Sequence, residues 1–354
     1  MTQKIEQALA NQPATNATRR ALLRAAGSMV LSGPLLALGG SALAAPAAPF
    51  SSTKTALTPL TFAWSQVSFC LTPVAVAKAT GIFEKNGLDV TLINYSGSND
   101  QLLESLATGK ADAAIGMIYR WIKPLESGFD VKVVAGTHGG CVRLIAYKPT
   151  GITTLEQLRG KTIGVPDLAQ PAKHFFAVYL KRNGIDPERD VSWKAYQADL
   201  LGLAAEKGEI QAIAYSDPTL FRIERDIKGG FVQLATNTDP PYHDKTCCVI
   251  GVGGRLVKSN RPAVAALARS LVEAYDWTNA HQEEGAKIFS KYAANLSVDE
   301  LKHLYQQLTL HAHPTDTSLR DQIEFFAKDF KDLGVLKPTT DPRKFADHIY
   351  VNVL

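Results

Sequence analysis

Cysteine is scarce in this sequence, with four in 354 residues. Such a density excludes a small fold stapled by disulfides, and none of the spacings is a C-x-x-C. There is no G-x-S-x-G, no H-E-x-x-H and no P-loop, so the usual signatures of hydrolases and nucleotide-driven enzymes are missing. Beyond the N-terminus no apolar run is long enough to span a bilayer. Charge of one sign is also missing. With 38 basic against 34 acidic residues the formal charge is +4, which offers nucleic acid no electrostatic footprint. A repeat of roughly 20 to 50 residues, the mark of a solenoid, is absent too.

What is present begins with "TRRALLRAAGSMVLSGPLLALGGSALAAPAAP". Arg19 and Arg20, an apolar stretch broken by Ser32, Gly33 and Pro34, and Ala42-Leu43-Ala44 read as the charged region, apolar region and cleavage site of a signal peptide. The arginine pair after Thr18, followed by Leu22 and Leu23, resembles the twin-arginine export signal. The expected boundaries are a signal peptide over 1–44 and a flexible tether over 45–57, where "APAAPFSSTKTA" is small and polar. A retained membrane anchor is the alternative, but the run is shorter than the roughly 20 strongly apolar residues a span needs. Twin-arginine substrates cross the membrane folded. The resemblance therefore implies folding in a reducing cytoplasm and work in the periplasm, so the fold cannot depend on disulfides made while folding. Cleavage removes Lys4, Arg19, Arg20, Arg24 and Glu6, leaving 34 basic against 33 acidic residues. About 310 residues remain, long for one core, and two lobes are the usual outcome.

From Leu60 apolar β-type runs alternate with helical stretches. "LTFAW", "LDVTLINY", "ADAAIGM" and "VKVVAG" read as strands, with helices over "TPVAVAKATGIFEKNG" and "SNDQLLESLATG". A second series follows, with strands in "KTIGV", "DVSWKAY", "EIQAIAY" and "GFVQLA". Capping boxes are expected at Ser98 to Gln101, Thr153 to Glu156 and Ser297 to Glu300. This βα repetition implies α/β architecture with mostly parallel sheets. After "HDKTCCVIGV" the chain turns helical. Asn260 and Pro262 open a helix whose Val264, Leu267, Ala268, Leu271, Val272 and Tyr275 share one face.

The order "AWSQVSFCLTPVAVAKATGIFEKNGLDVTLINYSGSNDQLLESLATGKADAAIGM", "LEQLRGKTIGVP", "AIAYSDPTLFRIER" resembles the periplasmic solute-binding proteins of ABC importers, over residues 60 to 335. Within them it is similar to the nitrate, sulfonate and taurine group and its thiamine-pyrimidine relatives. The resemblance implies a two-lobe periplasmic-binding-protein fold of type 2, with the ligand cleft between the lobes and a two-crossover hinge. Lobe 1 is then 58–144 and 250–335, lobe 2 is 150–244, and 336–354 is a C-terminal tail. The crossovers are "GGCVRLIAYK" and "DKTCCVIGV". The implied function is capture of a small anion or sulfonate-like compound in the periplasm and delivery to an inner-membrane ABC permease, by a monomer without cofactor or catalytic residues. A pyrimidine or other aromatic heterocycle, or a soft metal on the hinge cysteines, is the alternative ligand. An enzyme like the yeast pyrimidine-precursor synthases shares the fold, but their cysteine cluster is longer than the "CC" here. A sensory module would need a partner domain.

In such a fold ligands sit at strand ends and helix N-termini. The loops that qualify hold Ser65, Gln66, Phe69 and Cys70; Ser96, Gly97 and Ser98; Met117 and Tyr119; Gly139, Gly140 and Cys141; Gln170 and Lys173; Tyr215 and Asp217; and Tyr242 and His243. Ser96 to Ser98 are an oxyanion cradle or an ordinary helix cap. Gly139 and Gly140 let the backbone approach a ligand or take positive φ. Lys173 is an anion partner or a solvated lysine, and Asp217 is a helix cap or a partner for a ligand amine. Trp64, Phe69, Tyr119, Tyr215 and Tyr242 are walls or core. Basic residues near these loops, Arg120, Arg143 and Lys173, are few, so an anion would rest mainly on backbone dipoles.

Cys247 and Cys248 begin a strand, so their side chains are expected on opposite faces, and a bond between them would be strained. Cys141 lies on the other crossover, Cys70 ends a cleft loop, and His138 and His243 flank the region. Three readings stay open: buried free thiols, a disulfide from Cys141 to Cys247 or Cys248, or a soft-metal or ligand-thiol site.

Overall fold

A computed structural model describes residues 56–354 apart from 96–98, 294 and 312, together with all of Asn99 except its side chain. The expected signal peptide, nearly all of the tether, and Ser96, Gly97 and Ser98 with their capping box lie outside the described residues.

The chain builds β1 (Thr58–Trp64), α1 (Thr72–Ala79), α2 (Ile82–Lys85), β2 (Leu88–Asn94), α3 (Asn99–Ala107), β3 (Ala113–Met117), α4 (Ile118–Glu126) and β4 (Val131–His138) in the first lobe. It crosses to the second for β5 (Val142–Tyr147), β6 (Lys161–Val165), α5 (Pro171–Arg182), β7 (Val191–Ala195), α6 (Leu201–Glu206), β8 (Ala212–Ser216), α7 (Thr219–Asp226) and β9 (Phe231–Thr236). It returns with β10 (Cys248–Gly253) and closes with α8 (Gly254–Ser259), α9 (Arg261–Ala280), α10 (Gln282–Ser290), α11 (Val298–Leu304), α12 (Thr317–Asp332) and α13 (Pro342–Ile349).

Each lobe is a five-stranded sheet, ordered β2-β1-β3-β10-β4 in one and β7-β6-β8-β5-β9 in the other. The expected mostly parallel character is corrected to mixed. β5 and β10 run antiparallel to both neighbours, while β1 with β2 and β3, and β6 with β7 and β8, are parallel. The reason is the double crossover: a strand arriving from the other lobe enters its sheet from the opposite end. β3 is buried along its whole length, as a central strand covered on both faces must be.

The helical periodicity translates into packing. α9 starts with the Asn260 side chain accepting from the amide of Ala263 at 3.1 Å, and it buries Val264, Leu267, Leu271 and Tyr275. Each such side chain contributes about 1.5–3 kcal/mol of burial. The Ser297–Glu300 capping box forms in both directions. The Thr153–Glu156 box does not. Gln157 accepts from the amides of Thr153 and Thr154 instead, ahead of a single 3-10 turn over Glu156–Leu158.

Two boundaries differ from expectation. β5 belongs to the second sheet from Val142 onward, so residues 142–144 leave the first lobe. Residues 336–354 are no tail. Asp341 caps α13, which buries Phe345, Ala346 and Ile349, and the amide of Val351 donates to the carbonyl of Val133. Among the described residues no helix is long and apolar enough to cross a membrane.

Candidate functional site

Between the lobes lies a cleft, part of it open to solvent, where three helices begin. Its lining includes Ser68, Cys70 and Leu71 from the turn before α1, Met117 and Arg120 from the β3–α4 junction, and Gln170, Pro171 and Ala172 from the start of α5. Tyr95, Tyr215, Ser216, Cys141 and Cys248 complete it. Helix N-termini present amide hydrogens and positive dipole ends, so the wall is electropositive before any side-chain charge is counted.

Arg120 adds a full charge. Its residue is 8% exposed, and its guanidinium lies 5.5 Å from the centroid of the Tyr95 ring. Gly116 makes room for it, since a Cβ there would sit 3.1 Å from Cδ and 3.2 Å from Nε of Arg120. The Tyr95 hydroxyl donates to the carbonyl of Ile115 at 2.8 Å, which fixes the ring. Burial raises the phenol pKa of both Tyr95 and Tyr215, so both stay neutral donors.

Of the residues expected at the site, Cys70, Met117, Cys141, Gln170 and Tyr215 come together at this cleft. The other expected residues that the structure describes do not line this cleft. Lys173 turns from the cleft to Glu188 at 3.5 Å and to the ring of Trp193. Asp217 is held by Arg143, whose Nε and Nη2 donate at 3.0 and 2.8 Å, and it accepts from the amide of Phe221 at 3.0 Å. Arg143 also binds the half-buried Glu224 at 2.7 Å, so its charge and that of the buried Asp217 are paired within the lobe. The space at Gly139 and Gly140 is filled by protein, not left for a ligand. Gly139 pairs with Thr309 through two backbone bonds, and a Cβ on Gly140, at φ +73°, would strike the carbonyl of Gln307.

Ser65 is buried and accepts from the hydroxyl of Ser68 at 3.1 Å, and Phe69 packs on Phe289 and Tyr305. Gln66 lies in a second groove with Pro218, Arg222 and Tyr292. His243 is exposed. Tyr119 and Tyr242 donate to Asp329 Oδ2 at 3.1 and 2.9 Å, and Arg182 of α5 pairs with Oδ1, tying α12 of the first lobe to the second. Burial raises the Asp329 pKa, and Arg182 opposes the shift. Tyr95, Ser68, Ser216 and Cys248 are among the lining residues not expected there, and Arg120 is expected only as a basic residue near the loops. A tyrosine ending the run "LINY" looks like strand core.

Three of the four cysteines line the cleft, and Cys247 packs against them. The sulfurs of Cys141 and Cys247 are 2.8 Å apart, and Cys141, Cys247 and Cys248 have their sulfurs within 4.8 Å of one another. A second triad of Cys70, His138 and Cys248 meets the same limit. The expectation that Cys247 and Cys248 point to opposite faces is corrected: β10 begins only at Cys248, so Cys247 is outside the pleated ladder and strand alternation does not govern it. Burial would raise the Cys247 thiol, but hydrogen bonds from Cys141 and Cys248 bring it down to about 6. The hydrogen bond between the two sulfurs pushes Cys141 well above its ordinary value. Burial pushes His138 down, yet the sulfurs of Cys248 and Cys70 outweigh it and raise the imidazole.

A cleft between two mixed sheets joined by two crossovers defines the periplasmic-binding-protein fold. The alkanesulfonate-binding protein SsuA from Xanthomonas axonopodis pv. citri, solved with MOPS bound, superposes with a TM-score of 0.70 at 15% identity, covering 84% of this chain and 99% of that one. The aliphatic sulphonate-binding protein SsuA of Escherichia coli gives 0.68 at 16%, covering 81% and 91%. The nitrate-binding protein NrtA from Synechocystis PCC 6803 gives 0.68 at 15%, covering 84% and 86%. Residues 68–285 match the family described as NMT1/THI5 like, and the chain belongs to that family. No curated protein matches it.

Proposed function

We propose that this chain is the solute-binding protein of an ABC-type importer, which captures a small sulfonate- or nitrate-like anion between its lobes and hands it to a membrane permease. One observation carries the reading: the buried guanidinium of Arg120 lines the cleft where three helices start. A cation in a low-dielectric wall attracts an anion far more strongly than a solvated one, and charge-assisted hydrogen bonds to its oxygens would fix it. Tyr95 and Tyr215 offer aromatic surface to an organic tail. Capture works by closure of the lobes about Gly139–Cys141 and the return segment before β10. The chain acts as a monomeric binder, without turnover, in the periplasm after twin-arginine export.

The test is calorimetry and thermal shift of the purified protein, started at Ala45, with alkanesulfonates, nitrate, bicarbonate and pyrimidines, because a ligand of the folded state alone raises the melting temperature. Stabilisation by an anion together with compaction in small-angle scattering supports the reading. Stabilisation by pyrimidines alone, or consumption of the ligand, overturns it. The export route is tested by Arg19→Lys with Arg20→Lys, which should hold the precursor in the cytoplasm.

A further inference from the structure

The hinge carries five metal-ligating side chains that the anion reading does not use. Cys70 comes from the turn before α1, His138 from the end of β4, Cys141 from the outgoing crossover, and Cys247 and Cys248 from the return. All five are buried, with His138 at 0% exposure. Structural free cysteines pack their sulfurs against hydrocarbon. Here the sulfurs pack against one another, in two triads that share Cys248.

Two further observations point to a bound ion. Nε2 of His138 is buried with no hydrogen-bond partner, while Nδ1 lies 3.3 Å from the carbonyl of Gly139. With Nδ1–H serving that carbonyl, Nε2 would give up its proton to a metal ion and offer it the lone pair, the arrangement of a metal-bound imidazole. In addition, Cys141 is the one non-glycine among the described residues with a positive φ, +152°. Asn237 Oδ1 holds this conformation by accepting from the amides of Cys141 and Val142 at 2.9 and 3.1 Å. A side chain kept in a sparsely populated conformation by its surroundings marks a position under functional constraint.

We infer that the hinge binds a thiophilic metal ion, Zn(II) or Cu(I), on Cys141, Cys247 and Cys248, with Cys70 and His138 supplying further donors. Soft thiolates select these ions over magnesium, calcium or manganese. Donors within 4.8 Å of one another need only small shifts to surround an ion at the roughly 2.3 Å of a zinc–sulfur bond. Zn(II) would take a fourth ligand from Cys70 or His138, whereas the thiolate triad alone would suit Cu(I). Binding forms metal–sulfur bonds and releases the thiol protons to solvent, with no change of oxidation state. Because the donors span both crossovers, the ion would clasp the hinge. Because Cys70, Cys141 and Cys248 also line the cleft, it would sit beneath the captured solute.

The experiment uses tag-free protein, reduced and handled without oxygen. Co(II) serves as a spectroscopic probe, Zn(II) as its competitor, and Cu(I) is presented in competition with a chromophoric chelator. The expected result is a thiolate-to-Co(II) charge-transfer band that saturates at about one equivalent, is lost on adding Zn(II) or Cu(I), and protects Cys141, Cys247 and Cys248 from a thiol reagent. The metal that displaces Co(II) and resists the chelator identifies the ion. Cys247→Ser with Cys248→Ser should lose the band while keeping the circular dichroism of the parent. Should that variant not fold, the parent's spectrum and thiol count still decide. No band with all four thiols reactive only on unfolding overturns the inference, as does a Cys141–Cys247 disulfide forming without metal uptake. A sulfonate titration on the same sample separates the two readings: anion binding without metal removes this one alone, and metal uptake without anion binding removes the other.

Discussion

β3 and β8 occupy the same middle place in their sheets, and each runs directly into a helix at the cleft. In the first lobe that junction carries a cation, Arg120, in the first turn of α4. In the second it carries an anion, Asp217, just before α7. The two charges meet different fates. Asp217 is bound by both arms of Arg143, which also holds Glu224, so the charge is spent within the lobe. Arg120 lies on the Tyr95 ring and lines the cleft. Two buried arginines only 23 positions apart in the sequence therefore sit differently, one fastening a sheet to its helix and the other lining the cleft.

The largest expected effect comes from breaking the internal pair. Arg143→Met leaves two carboxylates without their cation and should cost about 3–5 kcal/mol in urea unfolding, because a buried charge loses its partner. The folded fraction should keep its anion affinity in calorimetry. Arg120→Gln should do the reverse. It should weaken anion binding about 100-fold, equivalent to about 2.7 kcal/mol, with a much smaller shift of the unfolding midpoint. If the two variants exchange phenotypes, the division of labour is wrong. Asp329→Asn removes the ion pair with Arg182 but keeps an acceptor for a tyrosine, and should cost about 1–2 kcal/mol and relax the contact between α5 and α12. Small-angle scattering of the ligand-free variant should show a larger radius of gyration.

The smallest effect is a pH dependence at His174, on the face of α5 that meets Phe330 of α12. Burial first, then Lys173, lowers its pKa from 6.5 to about 4, with Asp167 opposing. The unfolded chain therefore takes up the proton more readily between those values, and this contribution to stability is lost as pH falls from 6.5 toward 4. His174→Phe should flatten that part of the stability profile, measured as unfolding free energy against pH. An unchanged slope would place the proton uptake elsewhere.

The local elements were legible because their signals are local. Strand runs such as "KTIGV" and "LDVTLINY", the Asn260 start of α9 and the Ser297–Glu300 box each rest on residues a few positions apart, which share a face or a turn by backbone geometry alone. The resemblance to solute-binding proteins supplied the two lobes and the crossovers for the same reason, as an order of such pieces along the chain. The Thr153–Glu156 box failed in part because Gln157, one residue beyond it, took the Thr153 amide that Glu156 would have reached back to.

The sequence by itself determined the alternation of strands and helices, the change to helix after "HDKTCCVIGV", and the presence of four cysteines, too few for a disulfide scaffold. Only the tertiary structure decided that Cys70, His138, Cys141, Cys247 and Cys248 share one buried cluster, that Gly139 and Gly140 make room for the 307–309 backbone, and that Arg120 rather than Lys173 or Asp217 brings charge to the cleft. The physical reason is distance along the chain. Where a charge is held depends on strands and helices more than 70 residues away, as Asp217 is from Arg143, and no local pattern carries that information.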